Sequence, residues 1–285
     1  MTVLTIARLT IREAARRRLL LALVLLTAVV VALSGWGFSR IPTLQDRSGA
    51  VSEVTVRFIT AQLLILVMFT FSFVVALSAV FVASPAVSGE VESGIALAVL
   101  ARPITRLEYL AGKWLGLAIL VAAYVLAVTV AELATVQAVV GYAPPEPGHL
   151  ALYLTAEGLV CLTLSLCLST RLSGMVGGVV ALVVFGVAWL GGVIGGLGAV
   201  FANDAITQVG VGTRILFPTD LLWRGAVWSL EPAATRVLAA SAGPAALATP
   251  FFAAAPPDAG WLVWSAVWGV LVLALAVVLF ERREI

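Results

Sequence analysis

Long apolar runs alternate with short polar punctuation along this chain, at a spacing that predicts helices crossing a bilayer. A hydrocarbon core about 30 Å thick is crossed by roughly 20 predominantly apolar residues in helical form. Charge-free runs of that length lie at 19–39, 58–89, 172–203 and 261–280. Two more, 114–140 and 150–170, each carry one carboxylate, Glu132 and Glu157, and are still long enough to span. A membrane barrel strand shows about ten residues of strict alternation instead. The fold read from the pattern is therefore an all-α membrane protein with six transmembrane helices in a single domain over 1–285.

The punctuation predicts smaller elements. At 100° per residue, Val3, Leu4, Ala7, Ile11, Ala14 and Ala15 gather on one side of a helical wheel, and Thr5, Arg8, Arg12 and Arg16 on the other. That describes an N-terminal amphipathic helix within 1–18, lying on the membrane surface among lipid headgroups, with Arg16-Arg17-Arg18 marking the entry to the first span. Segment 84–113 is the longest inner stretch and the only one with dense charges of both signs. Pro85 and Gly89 interrupt the exit of the second span, and 95–100 forms a short helix that stops at Arg102-Pro103. Thr105-Arg106-Leu107-Glu108 then reads as a capping box, the Thr hydroxyl and Glu carboxylate each satisfying a free backbone N–H of a new helix.

Pro144, Pro145 and Pro147 mark a tight outer turn, and Arg171-Leu172-Ser173 a minimal inner one. The fifth span carries small-xxx-small pairs, Gly174/Gly178, Gly191/Gly195 and Gly192/Gly196, where another helix approaches closely. Segment 203–260, between the fifth and sixth spans, is too polar to span and too apolar for a free linker, which places it at the outer interface. Within it Thr219 or Asp220 caps a helix running to Leu230, displaying Trp223 and Trp228 at the level where indoles prefer to sit.

Composition agrees: 62% of residues are hydrophobic and 11% charged, with a mean hydropathy of +1.12. Eleven of the 17 Lys and Arg residues fall on one side of the six spans, including Arg8, Arg12, Arg102, Arg106, Lys113, Arg171, Arg282 and Arg283. The positive-inside rule makes that side, with both termini, cytoplasmic. The net charge of +2 is scattered and gives no nucleic-acid footprint. The first apolar run is too long for a cleaved signal and lacks a small-residue cleavage site, so a retained span is expected. Cys161 and Cys167, six apart on one helix, project in different directions and cannot pair.

Catalysis finds no support in the sequence. The one histidine, His149, has no second histidine or H-E-x-x-H to complete a metal site. The phosphate loop G-x-x-x-x-G-K-[ST] is absent too, because the only lysine, Lys113, follows Gly112 but precedes Trp114. If ATP drives this protein, another polypeptide supplies the nucleotide site. Glu132 and Glu157 are candidates for a polar path, since ionisable groups inside a membrane are costly; both also lie in the outer parts of their spans, within reach of water or headgroups.

The run Ser88-Gly89-Glu90-Val91-Glu92-Ser93-Gly94, then Leu100-Ala101-Arg102-Pro103-Ile104-Thr105-Arg106 and Gly112-Lys113-Trp114-Leu115-Gly116, resembles the ABC-2 type permeases. In that family the inner loop reads S-G-E-x-E-x-G, a short helix, A-R-P-[IV]-[ST]-R and G-K-x-x-G. The stretch Phe217-Pro218-Thr219-Asp220-Leu221-Leu222-Trp223-Arg224-Gly225 is similar to smaller bacterial members, the permease of the nitrous-oxide-reductase maturation transporter being the nearest kind. The resemblance implies an exporter subunit in a prokaryotic plasma membrane, driven by an ABC ATPase that carries ATP and Mg, with no cofactor on this chain. Glu90, Glu92, Ile95, Leu100, Arg102 and Arg106 would meet that ATPase.

The resemblance also implies a homodimer, or a pseudo-dimer with a second permease protomer, whose path runs between the second and fifth spans. In this sequence that nominates Met68, Phe69, Phe71 and Phe73, with Glu132 and Glu157 as polar elements; packing or lipid-facing aromatics are the plainer reading of the first four. Membrane lipid is a further partner, and an outer protein is a candidate partner for 203–260. Two rivals stay open: a secondary carrier or channel, and a membrane assembly factor that does not transport. An adjacent Walker-motif protein that co-purifies separates them.

Overall fold

The computed structural model of the chain describes residues 2–15, 18–43, 45–46, 49–50, 52–241 and 248–283. Arg16, Arg17 and Arg47 lie outside the described residues. Helix α1 (Thr2–Ala15) is followed by α2 (Arg18–Phe38), α3 (Glu53–Ala83), α4 (Pro85–Glu92), α5 (Ile95–Leu100), α6 (Arg106–Val140), α7 (Pro147–Ser169) and α8 (Gly174–Val200). Then come α9 (Asp204–Leu216), α10 (Thr219–Leu230), α11 (Ala233–Ser241) and α12 (Ala259–Glu281). A two-residue antiparallel pairing, 45–46 with 49–50, is the only extended structure among the described residues.

Six helices are long and apolar enough to cross a membrane: α2, α3 continuing through α4, α6, α7, α8 and α12. Pro85 does not stop α3 but opens α4, its missing N–H falling at a position that needs no partner; Ser84 keeps a right-handed helical conformation between them. At the other end of the inner segment the capping box forms as expected: Thr105 N–H donates to Glu108 Oε2 at 2.9 Å and Glu108 N–H to Thr105 Oγ1 at 3.1 Å. The short helix 95–100 is also present.

Helix α7 is the axis of the bundle, with 72% of its most apolar stretch buried, against 11% for α2 and 17% for α12. The outer faces of α2 and α12 are apolar and exposed. Helix α1 and the end of α12 both meet α6 near its start. There Arg106 Nη1 donates to the carbonyls of Phe280, and of Glu281 and Arg283 at 2.9 Å each, capping the C-terminal end of α12 with a cation. We call this the terminal face; the 141–146 turn and α9–α11 form the distal face.

Two interfacial expectations change in three dimensions. Helix α1 packs on α6 through Ile6, Ala7, Thr10 and Ala14, leaving Leu4 exposed. Its buried face is turned from that of the wheel because α6, and not only lipid, receives it. Helix α10 starts at Thr219 with Pro218 at its cap, and Asp220 lies in its first turn. It is an internal strut across the distal mouth. Trp223 is buried, its indole N–H donating to Pro250 O at 2.7 Å, and Tyr142 Oη donates to Leu230 O at 2.7 Å. Trp228 is half-buried, with Arg236 4.6 Å from its ring centre.

Candidate functional site

The terminal face gathers the inner segment, α1 and the start of α6 around one buried ammonium. Tyr109 and Lys113 are one turn apart on α6, so both reach the same side. Tyr109 Oη and Lys113 Nζ both donate to the carboxylate of Glu90 on α4, and Lys113 Nζ lies 3.7 Å from Glu13 on α1. The Lys113 side chain is 6% exposed and that of Glu90 15%. A charge this buried is stable only when paired and hydrogen-bonded, so the knot ties α4 and α1 to α6.

The glycines around Lys113 complete the seat. A Cβ on Gly112 would stand 2.6 Å from Ile6 Cβ, and one on Gly116 2.7 Å from the Ala7 carbonyl oxygen. Only glycine lets α1 come that close. The G-K-x-x-G element of the sequence is thus the docking place of the N-terminal helix.

This geometry sorts the six residues nominated for a partner contact. Glu92, Ile95 and Arg102 point outward. Leu100 is half-buried and packs against the core. Glu90 and Arg106 are engaged within the chain, the first by Lys113 and Tyr109, the second by the end of α12. Leu97 and Leu107, large apolar residues that the sequence reading did not nominate, are also exposed. Their signal was present as large apolar residues on a charged, capped segment. Ile95 borders a cavity against α1 together with Ala98, Val99 and Arg102, while Leu97, two residues on and so on the other side of α5, is exposed separately.

Inside the bundle, Met68 and Phe71 are fully buried in the chain's own core, while Phe69 and Phe73 turn toward α8 and α10. Phe69 meets Phe73 at 4.9 Å between ring centres, Trp223 at 5.2 Å, Phe251 at 5.0 Å and Trp189 at 5.7 Å. Phe73 meets Phe185 at 5.2 Å. Edge-on and tilted ring pairs of this kind add about 0.5–1.5 kcal/mol each beyond burial. They join α3, α8 and α10 into one aromatic plug beneath the distal mouth.

The two intramembrane carboxylates each tie two helices. Glu132 Oε2 accepts from Ser34 Oγ of α2 at 2.9 Å, and Glu157 Oε1 accepts from Ser72 Oγ of α3 at 2.8 Å. The second oxygen of each is buried without a hydrogen-bond partner among the described residues. The glycine-rich face of α8 mainly receives its own chain: a Cβ on Gly195 would stand 2.6 Å from Gly210 Cα of α9.

At the distal face, Asp220 fits against Gly192, and its Oδ2 accepts from Arg214 Nε at 2.9 Å and Arg224 Nε at 3.3 Å. Nearby Glu231 is wholly buried, which pushes its carboxyl up to about 8; the Ala253 backbone N–H and Arg236 oppose that shift.

No curated protein matches this chain. The model of the ABC-2 family transporter protein matches residues 4–285, which takes in the knot, the capped inner segment and all six spans. The chain belongs to the ABC-2 family of transporter proteins, as a membrane permease subunit of an ABC transporter.

Proposed function

We propose that this chain forms the transmembrane part of an ATP-driven exporter in a prokaryotic plasma membrane, with its terminal face and both termini in the cytoplasm. A separate ABC ATPase holds ATP and Mg and docks on the inner segment, where Leu97 and Leu107 are exposed and Glu92 and Arg102 point outward. A second copy of the permease completes the path. The resemblance of segment 217–225 supports a permease of the nitrous-oxide-reductase maturation kind; the substrate does not follow from fold.

One observation carries this reading: α4, which leads into the exposed α5, is tied to α6 and α1 by the Glu90–Lys113–Glu13 knot. A displacement of α4 is therefore passed to α6 rather than absorbed by a loose loop. The exposed Leu97 and Leu107 of the inner segment supply aliphatic anchors for a partner.

The test is reconstitution with the ATPase encoded beside the gene. Purified alone, the chain is expected to hydrolyse no ATP; together the two should co-purify and turn over ATP. Leu97→Asp with Leu107→Asp should abolish co-purification while leaving the purified chain's thermal stability unchanged. Assembly of that double variant at wild-type level would refute the docking assignment, and ATP turnover by the single chain would refute the division of labour.

A further inference from the structure

The geometry points to a binding site for an amphipathic anion, a carboxylate or phosphate bearing an apolar tail, in the distal cavity between α8, α9 and α10. This cavity has a volume of about 480 Å³, within the range of about 300–1,000 Å³ typical of small-molecule pockets. Its walls are small or apolar, among them Gly195, Ala199, Val211, Leu221 and Phe252, and the charged side chains lining it are Arg214 and Arg224.

The charge balance favours an anion. Two guanidiniums share one carboxylate, and both bond to the same oxygen, Asp220 Oδ2. Asp220 is almost fully buried and held in the space left by Gly192; it orients the arginines and does not line the cavity. Two cations and one anion leave the group with one net positive charge. A guanidinium offers five N–H donors in a planar fork. Arg214 uses its Nε toward Asp220, and the described chain gives its two Nη groups no acceptor. Its side chain is 24% exposed, so those donors reach the cavity. Positively charged donors at one end of an apolar space fit a charged head with a hydrocarbon tail. The site requires neither the ATPase nor a transport cycle.

The test is equilibrium dialysis of radiolabelled decanoate against the full chain in phosphatidylcholine nanodiscs, with empty nanodiscs subtracted and decanol as the uncharged control. Saturable binding of one decanoate per chain, at least about tenfold tighter than decanol, is expected from a charge-assisted contact. Arg214→Gln should weaken it about tenfold or more, and Arg214→Lys should restore most of it. Ala199→Phe, which puts a bulky ring on the cavity wall and leaves both arginines in the chain, should block binding while leaving the thermal stability unchanged. Adding phosphatidic acid to the nanodiscs distinguishes the sources: competition assigns the site to a lipid of that leaflet, and its absence assigns it to a soluble amphiphile. Equal binding of decanoate and decanol, or decanoate binding unaffected by both Arg214→Gln and Ala199→Phe, would overturn the proposal.

Discussion

Replacing Glu90 by glutamine separates a structural role for this residue from a partner-contact role. Gln keeps the shape and one acceptor but removes the charge that balances Lys113. Breaking one side of a buried ion pair costs about 3–5 kcal/mol. Here Glu13 remains 3.7 Å from Lys113 Nζ and the pair is slightly open to solvent, which brings the loss below that range, to about 2–3 kcal/mol. In a chain of this size that corresponds to roughly 5–10 °C in Tm. The assay is thermal unfolding of the purified chain in one detergent at a fixed scan rate, because membrane proteins unfold irreversibly and rates enter. Hydrogen exchange on the α4 amides should rise in parallel. Removing the second charge as well, Glu90→Gln with Lys113→Met, should recover at least half of the loss, since no charge is then stranded. Glu92→Lys should behave oppositely: unchanged Tm, but salt-dependent weakening of assembly with the ATPase. A Glu90→Gln protein with wild-type Tm and wild-type α4 exchange would refute the knot, and Glu90 would then be an ordinary surface charge.

Three further outcomes are expected. Gly116→Val places branched carbons where the Ala7 backbone lies, 2.7 Å from a Cβ, so α1 should detach and become protease-sensitive while 18–283 stays resistant. The carboxyl of Glu231, held up to about 8 by burial, binds its proton more tightly when folded than when unfolded. Its contribution is therefore fully present below about pH 4.5 and is lost as the pH rises through about 8; Tm of the wild type should fall across that window, and Glu231→Gln should flatten the profile. Single cysteines at Arg12, Ser93 and Arg282 should react with an impermeant maleimide only from the cytoplasm, and those at Gly148 and Ala234 only from outside; labelling of Arg12 and Arg282 positions from opposite sides would break the six-span topology.

What could be read from the chain alone was whatever depends on local solvent preference and backbone chemistry. Apolar run length fixed the number of spans, because lipid demands it of each helix separately. The Thr105/Glu108 box and Pro103 located the start of α6, because capping is satisfied within four residues. The helix at 95–100 was legible from the breakers around it, Gly89 before and Pro103 after. What a side chain faces was not legible, since that depends on which distant helix arrives. Glu90 looked like a free surface charge until Lys113, 23 residues on, was seen to be buried against it. Arg106 looked available until the end of α12 came to rest on it. The α1 wheel predicted an apolar face for lipid, yet the glycines of α6 selected a different one. Likewise α10, with polar ends and two tryptophans, carries the composition of an interfacial helix. Only the assembled bundle made it an internal strut, because in an apolar solvent close packing and paired polar groups, rather than hydrophobicity, decide which helix surfaces meet.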